Sequence, residues 1–177
     1  MTGNYGKLHE LIGEYVTRCG RVEFFLRRSA MWLSNMDMQL VSAFLAHYRT
    51  TSSLTNLIER LVKYRSFPAA KSESVQETLK RFRALSQLRN ALAHYGANPL
   101  DTGEILLMKA PKLSAQIPAV WARISMRDLQ DALIDLQTVE YRLLLDLDPA
   151  LPPEMRAGYE LSARGAWRYK PAPHPQD

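Results

Sequence analysis

Hydrophobic positions recur with helical period through most of the chain. From about Lys7 to Asn35, the residues Ile12, Val16, Cys19, Leu26, Ala30 and Leu33 fall on one stripe at about 100° per residue. Tyr15, Val22, Phe25 and Ser29 widen that stripe, which predicts a largely buried first helix. Gly13 and Gly20 either weaken it locally or admit a closely packed neighbour. A second pattern runs from about Met38 to Arg65, with a break near the Thr50–Ser53 cluster. Its second half, Leu54, Leu57, Ile58, Leu61 and Val62, is amphipathic, and Pro68 closes it. A third helix is expected from Ser72 or Ser74, with Glu77 as a capping-box partner of Ser74. It carries Val75, Leu79, Phe82, Leu85, Leu88, Leu92 and Tyr95, then meets Gly96 and Asn98-Pro99, which are helix stop signals.

From Gly96 to Ser125 the texture changes. Pro99, Pro111 and Pro118 punctuate two short runs, Glu104 to Met108 and Val120 to Ile124, which read as a two-stranded excursion. A fourth helix follows from about Met126 to Leu147, with Leu129, Leu133, Leu136, Val139, Leu143 and Leu147 in register. Residues 149–177 hold six of the ten prolines and read as a surface-hugging tail. The predicted architecture is therefore all-α: an antiparallel bundle of four to five helices with a small β-hairpin insertion before the last long helix. Residues 1–148 form the helical domain and 149–177 a Pro-rich C-terminal tail.

Composition narrows the function classes. A chain of 177 residues, 46% hydrophobic and 23% charged, suits one globular core and excludes wholesale disorder or collagen-like repeats. The single cysteine, Cys19, excludes a disulfide scaffold and a cysteine-based zinc cluster, and its place in the stripe marks it as core filler. No apolar run approaches a membrane span, and the first residues lack the apolar run of a signal peptide. A cytoplasmic protein without membrane partners is expected. His9, His47, His94 and His174 lie far apart, and no P-loop or dinucleotide-binding glycine motif is present. Neither a metal nor an organic cofactor is expected. The formal charge of +5 and pI near 9.4 favour a polyanionic partner such as RNA, DNA or a nucleotide.

The segment Leu88 to Gly96 at the end of the third helix carries the most specific chemistry. Leu85, Leu88, Leu92 and Tyr95 form its core side, so Asn90 and His94, four residues apart, stack on the opposite side. The arc between Arg89 and His94 is expected to hold the small residues Ser86 and Ala93, admitting another helix, such as its own copy across a two-fold axis. Arginine presents a planar, always-charged fork that matches phosphate oxygens, and histidine exchanges a proton near neutral pH. Asparagine can orient either by hydrogen bonding. Arginine and histidine without a metal suffice for RNA cleavage: one group assists attack of the ribose 2′-hydroxyl while cations hold the charge building on phosphorus. The end of a helix also favours the protonated imidazole. The alternative is structural, with Arg89, Asn90 and His94 capping carbonyls and making surface hydrogen bonds.

Arg89-Asn90-x-x-x-His94, closing a long helix ahead of a short hairpin and a last helix, resembles the HEPN superfamily. The resemblance covers the helix order over roughly residues 7–147, while the specific motif is six residues long. It implies an antiparallel helical bundle that forms a homodimer, bringing two Arg-x4–6-His motifs into one cleft. It implies either a metal-independent endoribonuclease of a bacterial defence or toxin–antitoxin-like system, leaving a 2′,3′-cyclic phosphate, or a non-catalytic module that binds RNA or a partner protein. An antitoxin or defence-system protein is a further implied partner. Carried onto this chain, the implied catalytic residues are Arg89, Asn90 and His94. Tyr95, counted as a supporting residue, follows His94 directly, which differs from the His-x-Tyr of the toxin subgroup.

Three further features stand beside the motif. Glu23 falls within the apolar stripe of the first helix, where an ionised carboxylate is costly unless paired. It either orients Arg89 or His94 or pairs with Arg27, one turn on. Basic residues cluster as Arg18, Arg21, Arg27 and Arg28, and as Lys80, Arg81 and Arg83 upstream of the motif. They are solvated helix faces or, functionally, a phosphate track in which Lys80, Arg81 and Arg83 bind RNA. Trp167 and Tyr169, interleaved with Arg164, Arg168 and Lys170, either stack on bases or pack against protein.

Overall fold

The computed structural model describes residues 3–36, 39–40, 43, 46, 48, 50–94, 97–100, 104–109 and 119–171. Five helices and one small sheet are present among them. Helix α1 spans Gly3–Ser34, α2 Thr51–Tyr64, α3 Ala69–His94, α4 Met126–Leu147 and α5 Pro153–Ala163. Strands β1 (Ala97–Pro99), β2 (Glu104–Lys109) and β3 (Ala119–Ser125) lie between α3 and α4. This is the all-α bundle class that the hydrophobic period predicts, with the antiparallel insertion ahead of the last long helix.

The ends of the helices follow from local chemistry. Asn35 adopts φ 55° just after α1, a left-handed geometry that asparagine tolerates better than most residues. The Thr50–Ser53 cluster that breaks the second pattern is a capping box. The backbone N–H of Ser53 donates to Thr50 Oγ1 at 3.1 Å, and that of Thr50 donates to Ser53 Oγ at 3.2 Å. Pro68 does more than close α2: its carbonyl accepts the N–H groups of Lys71 and Ser72, each at 3.0 Å, so α3 begins at Ala69 rather than at Ser72 or Ser74. The Ser74 hydroxyl donates instead to Asp146 Oδ2 at 2.7 Å. At the start of α4, Ser125 and Asp128 form a second reciprocal cap, so β3 runs straight into the helix.

The sheet has the order β1-β2-β3 and is antiparallel throughout. Ile105 pairs with Ile124, both buried, and Leu107 is buried two residues further along β2, giving the sheet one apolar face. A register shift between Leu107 and Met108 marks a bulge. Strand β1 was not expected. It is three residues long and ends in Pro99, which suits only an edge strand, so its sequence carries almost no strand signal.

The chain divides into two compact units. One comprises Met1–Cys19, Ala84–Asp135 and Trp167–Asp177; the other comprises Gly20–Arg83 and Leu136–Ala166. In the first unit Leu8, Tyr15, Cys19, Leu85, Leu88, Leu92, Leu129 and Leu133 are buried, and the Tyr15 hydroxyl donates to the Leu85 carbonyl at 2.9 Å. In the second, the buried set includes Val22, Leu26, Leu54, Ile58, Leu79, Phe82, Val139 and Leu143. On α1 the buried line runs through Tyr15, Cys19, Val22 and Leu26, which turns Val16 outward to 38% exposure although the expected stripe includes it. Gly13 and Gly20 face open space, so no close neighbour among the described residues explains them.

The C-terminal region, expected as a surface-hugging tail, contains a helix, Pro153–Ala163. Helix α5 is tied to α4 by a Tyr141–Tyr159 stack at 4.9 Å and by Arg142 Nε donating to the Ala163 carbonyl at 3.1 Å. Beyond it, in the first unit, the buried carboxylate of Asp135 accepts the backbone N–H groups of Arg168 at 2.8 Å and Tyr169 at 3.0 Å. Its two oxygens are each used, so an amide in its place satisfies only one of the two donors. Asp135→Asn is therefore expected to cost about 1–3 kcal/mol and to expose the segment after Ala166 to protease, read by denaturant unfolding and limited proteolysis.

A second acidic group gives a pH signature. Burial raises the carboxyl of Asp146 above its ordinary 3.8, although the Ser74 hydroxyl and the charges of Lys71, Arg142 and Arg156 act against the rise. The folded state then binds this proton more tightly than the unfolded chain. Its contribution is present below 3.8 and is lost as the pH rises from there through the raised folded value. Asp146→Asn is expected to flatten that dependence and to raise stability at pH 7; denaturant midpoints at pH 4 and pH 7 for both proteins measure it.

Candidate functional site

The last three turns of α3 position the motif. Leu85, Ser86, Leu88, Ala91 and Leu92 are all buried, so the buried arc is wide and the exposed strip narrow. That strip holds Gln87, Asn90, Ala93 and His94. Asn90 and His94 lie one turn apart on it, and His94 is the final residue of α3, beside the negative end of the helix dipole. Arg89 is half-buried at the edge of the strip, with its Nε within the protein. Asn90 and His94 thus share one face of α3, with Arg89 at its margin. Ser86, seven residues before Ala93 and so on the same face, is buried where Ala93 is exposed: that face is covered two turns earlier along α3 and open only at its end. Tyr95 lies outside the described residues.

Chemically, the strip offers a phosphate-matching cation, an amide and a solvent-facing imidazole at one end of one helix. A partly buried guanidinium is held in a restricted orientation, while the exposed histidine and asparagine are open to a ligand or a second protein surface.

Of the other proposed residues, Glu23, Lys80, Arg81 and Arg83 belong to the second unit. Glu23 accepts a hydrogen bond from Thr51 Oγ1 at 2.5 Å, joining α1 to the start of α2. Arg83 is engaged by α2: Nε donates to Thr55 Oγ1 at 2.7 Å, and Nη2 meets Asn56 Oδ1 at 3.0 Å and Glu59 at 2.7 Å. Arg81 is half-buried and Lys80 exposed. On α1, Arg18 pairs with Glu14 and Arg21 with Glu140, Arg27 donates to the Tyr48 carbonyl, and Arg28 lies 4.4 Å over the Trp32 ring. Each of these arginines thus has a contact within the chain. In the tail, Tyr169 is 4% exposed and packs inside, while Trp167 is half-buried.

Two acidic groups with defined roles, Asp135 and Asp146, escape a reading by motif. The signal available for Asp135 is its position between Leu133 and Leu136 on the core side of α4. Among the described residues no group of three or more His, Cys, Asp or Glu could hold a metal ion, and no described helix is long and apolar enough to cross a membrane. No family model matches the chain, nor does any curated protein or solved structure.

The different settings of two neighbouring cations generate a test. Arg83→Ala removes charge-assisted hydrogen bonds and leaves Glu59 behind, with an expected loss of about 1.5–3 kcal/mol in unfolding free energy. Lys80→Ala, at an exposed position, is expected to stay within about 0.5 kcal/mol of wild type.

Proposed function

We propose that the chain is a HEPN-type, metal-independent endoribonuclease of a bacterial defence or toxin–antitoxin-like system, active as a homodimer that joins two copies of the motif. The observation that carries this reading is the shared exposed strip of Asn90 and His94 at the end of α3, with Arg89 half-buried at its edge. His94 acts as the general acid/base, exchanging a proton with the ribose 2′-hydroxyl or the departing 5′-oxygen. Arg89 binds the phosphodiester and the charge that grows on it, and Asn90 orients substrate or imidazole. The 2′-oxygen bonds to phosphorus as the 5′-oxygen leaves, giving a 2′,3′-cyclic phosphate and a 5′-hydroxyl. Tyr95 and Glu23 remain supporting residues in this proposal, and Lys80 and Arg81 the RNA-facing cations. Arg83 contributes to that track only by holding α2, given its three contacts there.

The decisive experiment incubates purified protein with end-labelled RNA in EDTA, alongside Arg89→Ala and His94→Ala. Cleavage by wild type with a cyclic phosphate end, falling by about 10²–10⁴-fold in either variant, is the expected result. Absence of cleavage over varied RNAs favours the non-catalytic module that binds RNA or a partner protein. Equal cleavage by all three proteins assigns the activity elsewhere.

A further inference from the structure

The second compact unit contains an open cleft of about 650 Å³ between the last turns of α2, the turn that follows and the start of α3. This volume is in the range of sites that hold small molecules. Its α2 wall carries Arg60 and Lys63, three residues apart and therefore neighbours on one helix face. Both are exposed, and neither side chain makes an ion pair or hydrogen bond among the described residues. Two like charges so placed repel each other, and an anion between them removes the repulsion.

The remaining polar lining is biased toward donors. Asn56 uses Oδ1 to accept from Arg83, which leaves its amide N–H groups as donors. Ser66 adds a hydroxyl from the turn, held at φ 51°, and Gln76 an amide from α3, while the Ser72 hydroxyl donates to the Phe67 carbonyl at 3.4 Å. The single carboxylate of the lining, Glu59, is neutralised by Arg83 at 2.7 Å. Val62 and Phe67 supply apolar surface beside these groups.

From the paired cations, the donor-rich wall and the neutralised acid, we infer that this cleft binds a small phosphorylated molecule, a phosphate monoester of sugar-phosphate size. Arg60 and Lys63 take the phosphate, Asn56 and Gln76 the hydroxyl groups of the carrier, and Val62 with Phe67 its apolar edge. The site is a cleft whose two cations lie on one helix face, unlike a track of evenly spaced charges along a strand. The site draws on none of Arg89, Asn90 and His94, so its failure leaves the ribonuclease proposal untouched.

The test is calorimetric titration of the full chain with ribose 5-phosphate, with ribose as the uncharged control, at fixed ionic strength. The variants are Arg60→Gln with Lys63→Gln, and Lys7→Gln, at an exposed position, as a charge control outside the cleft. The expected result is saturable binding of ribose 5-phosphate and none of ribose, competed by inorganic phosphate. The double variant weakens it about tenfold or more and Lys7→Gln leaves it unchanged. Circular dichroism confirms that the double variant is folded, as expected for two exposed side chains. Absence of binding overturns the inference, as does equal binding by wild type and double variant. So does an outcome in which a short RNA oligonucleotide, but not ribose 5-phosphate, depends on Arg60 and Lys63.

Discussion

Burial of α3 governs what the rest of the chain can present. Val75, Thr78, Leu79 and Phe82 are buried in one unit, and Leu85, Ser86, Leu88, Ala91 and Leu92 in the other. Apolar burial contributes about 25 cal/mol per Å², and a helix sunk over so wide an arc has little freedom to rotate without exposing several leucines at once. Its phase is therefore set, and with it the direction of every polar residue it carries. Asn90 and His94 face outward and Arg89 lies at the margin because the leucines face inward. A one-residue slip would carry the imidazole toward the core and a leucine toward water.

The distribution of cations qualifies what net charge says about partners. A charge of +5 marks the whole chain, yet many of the arginines serve as structural donors. Arg27, Arg65 and Arg142 donate to the carbonyls of Tyr48, Leu33 and Ala163, beyond or at the ends of helices where backbone acceptors lack intrahelical donors. Arg21 and Arg83 bridge helices through Glu140 and Glu59. A guanidinium suits this work because several donors fan out from one plane. Cations held this way contribute less to a polyanion footprint than their number implies. The pair Arg60 and Lys63 differs, being exposed on a cleft whose own carboxylate is already balanced.

How far each element could be read depended on how much of its signal was local. The stripes of α1 and α4 are long, so their extents were visible to within a few residues. The Thr50–Ser53 cluster was visible as a break, and the cap it forms explains why the break falls there. Strand β1 was invisible because three residues ending in proline carry no alternation. Helix α5 was hidden by the prolines around it, although Pro153 at its first position favours helix initiation. The motif at the end of α3 was legible because side chains four apart stack on any helix. The contacts that engage Arg83 were not, since Thr55, Asn56 and Glu59 lie 24–28 positions away in sequence.

By itself the sequence determined the helical class, the β insertion, the buried cysteine and the joint presentation of Asn90 and His94, because each follows from periodicity within one element. Tertiary structure decided which charged groups are bound within the chain and which face a cleft. It also decided that Asp135 anchors the residues after α5 and that Ser74 faces Asp146 instead of capping α3. Such outcomes depend on which acceptor a long, flexible side chain meets from a distant segment. Hydrophobic period carries no information about that meeting, because it specifies the face that is buried and not the polar group that waits across from it.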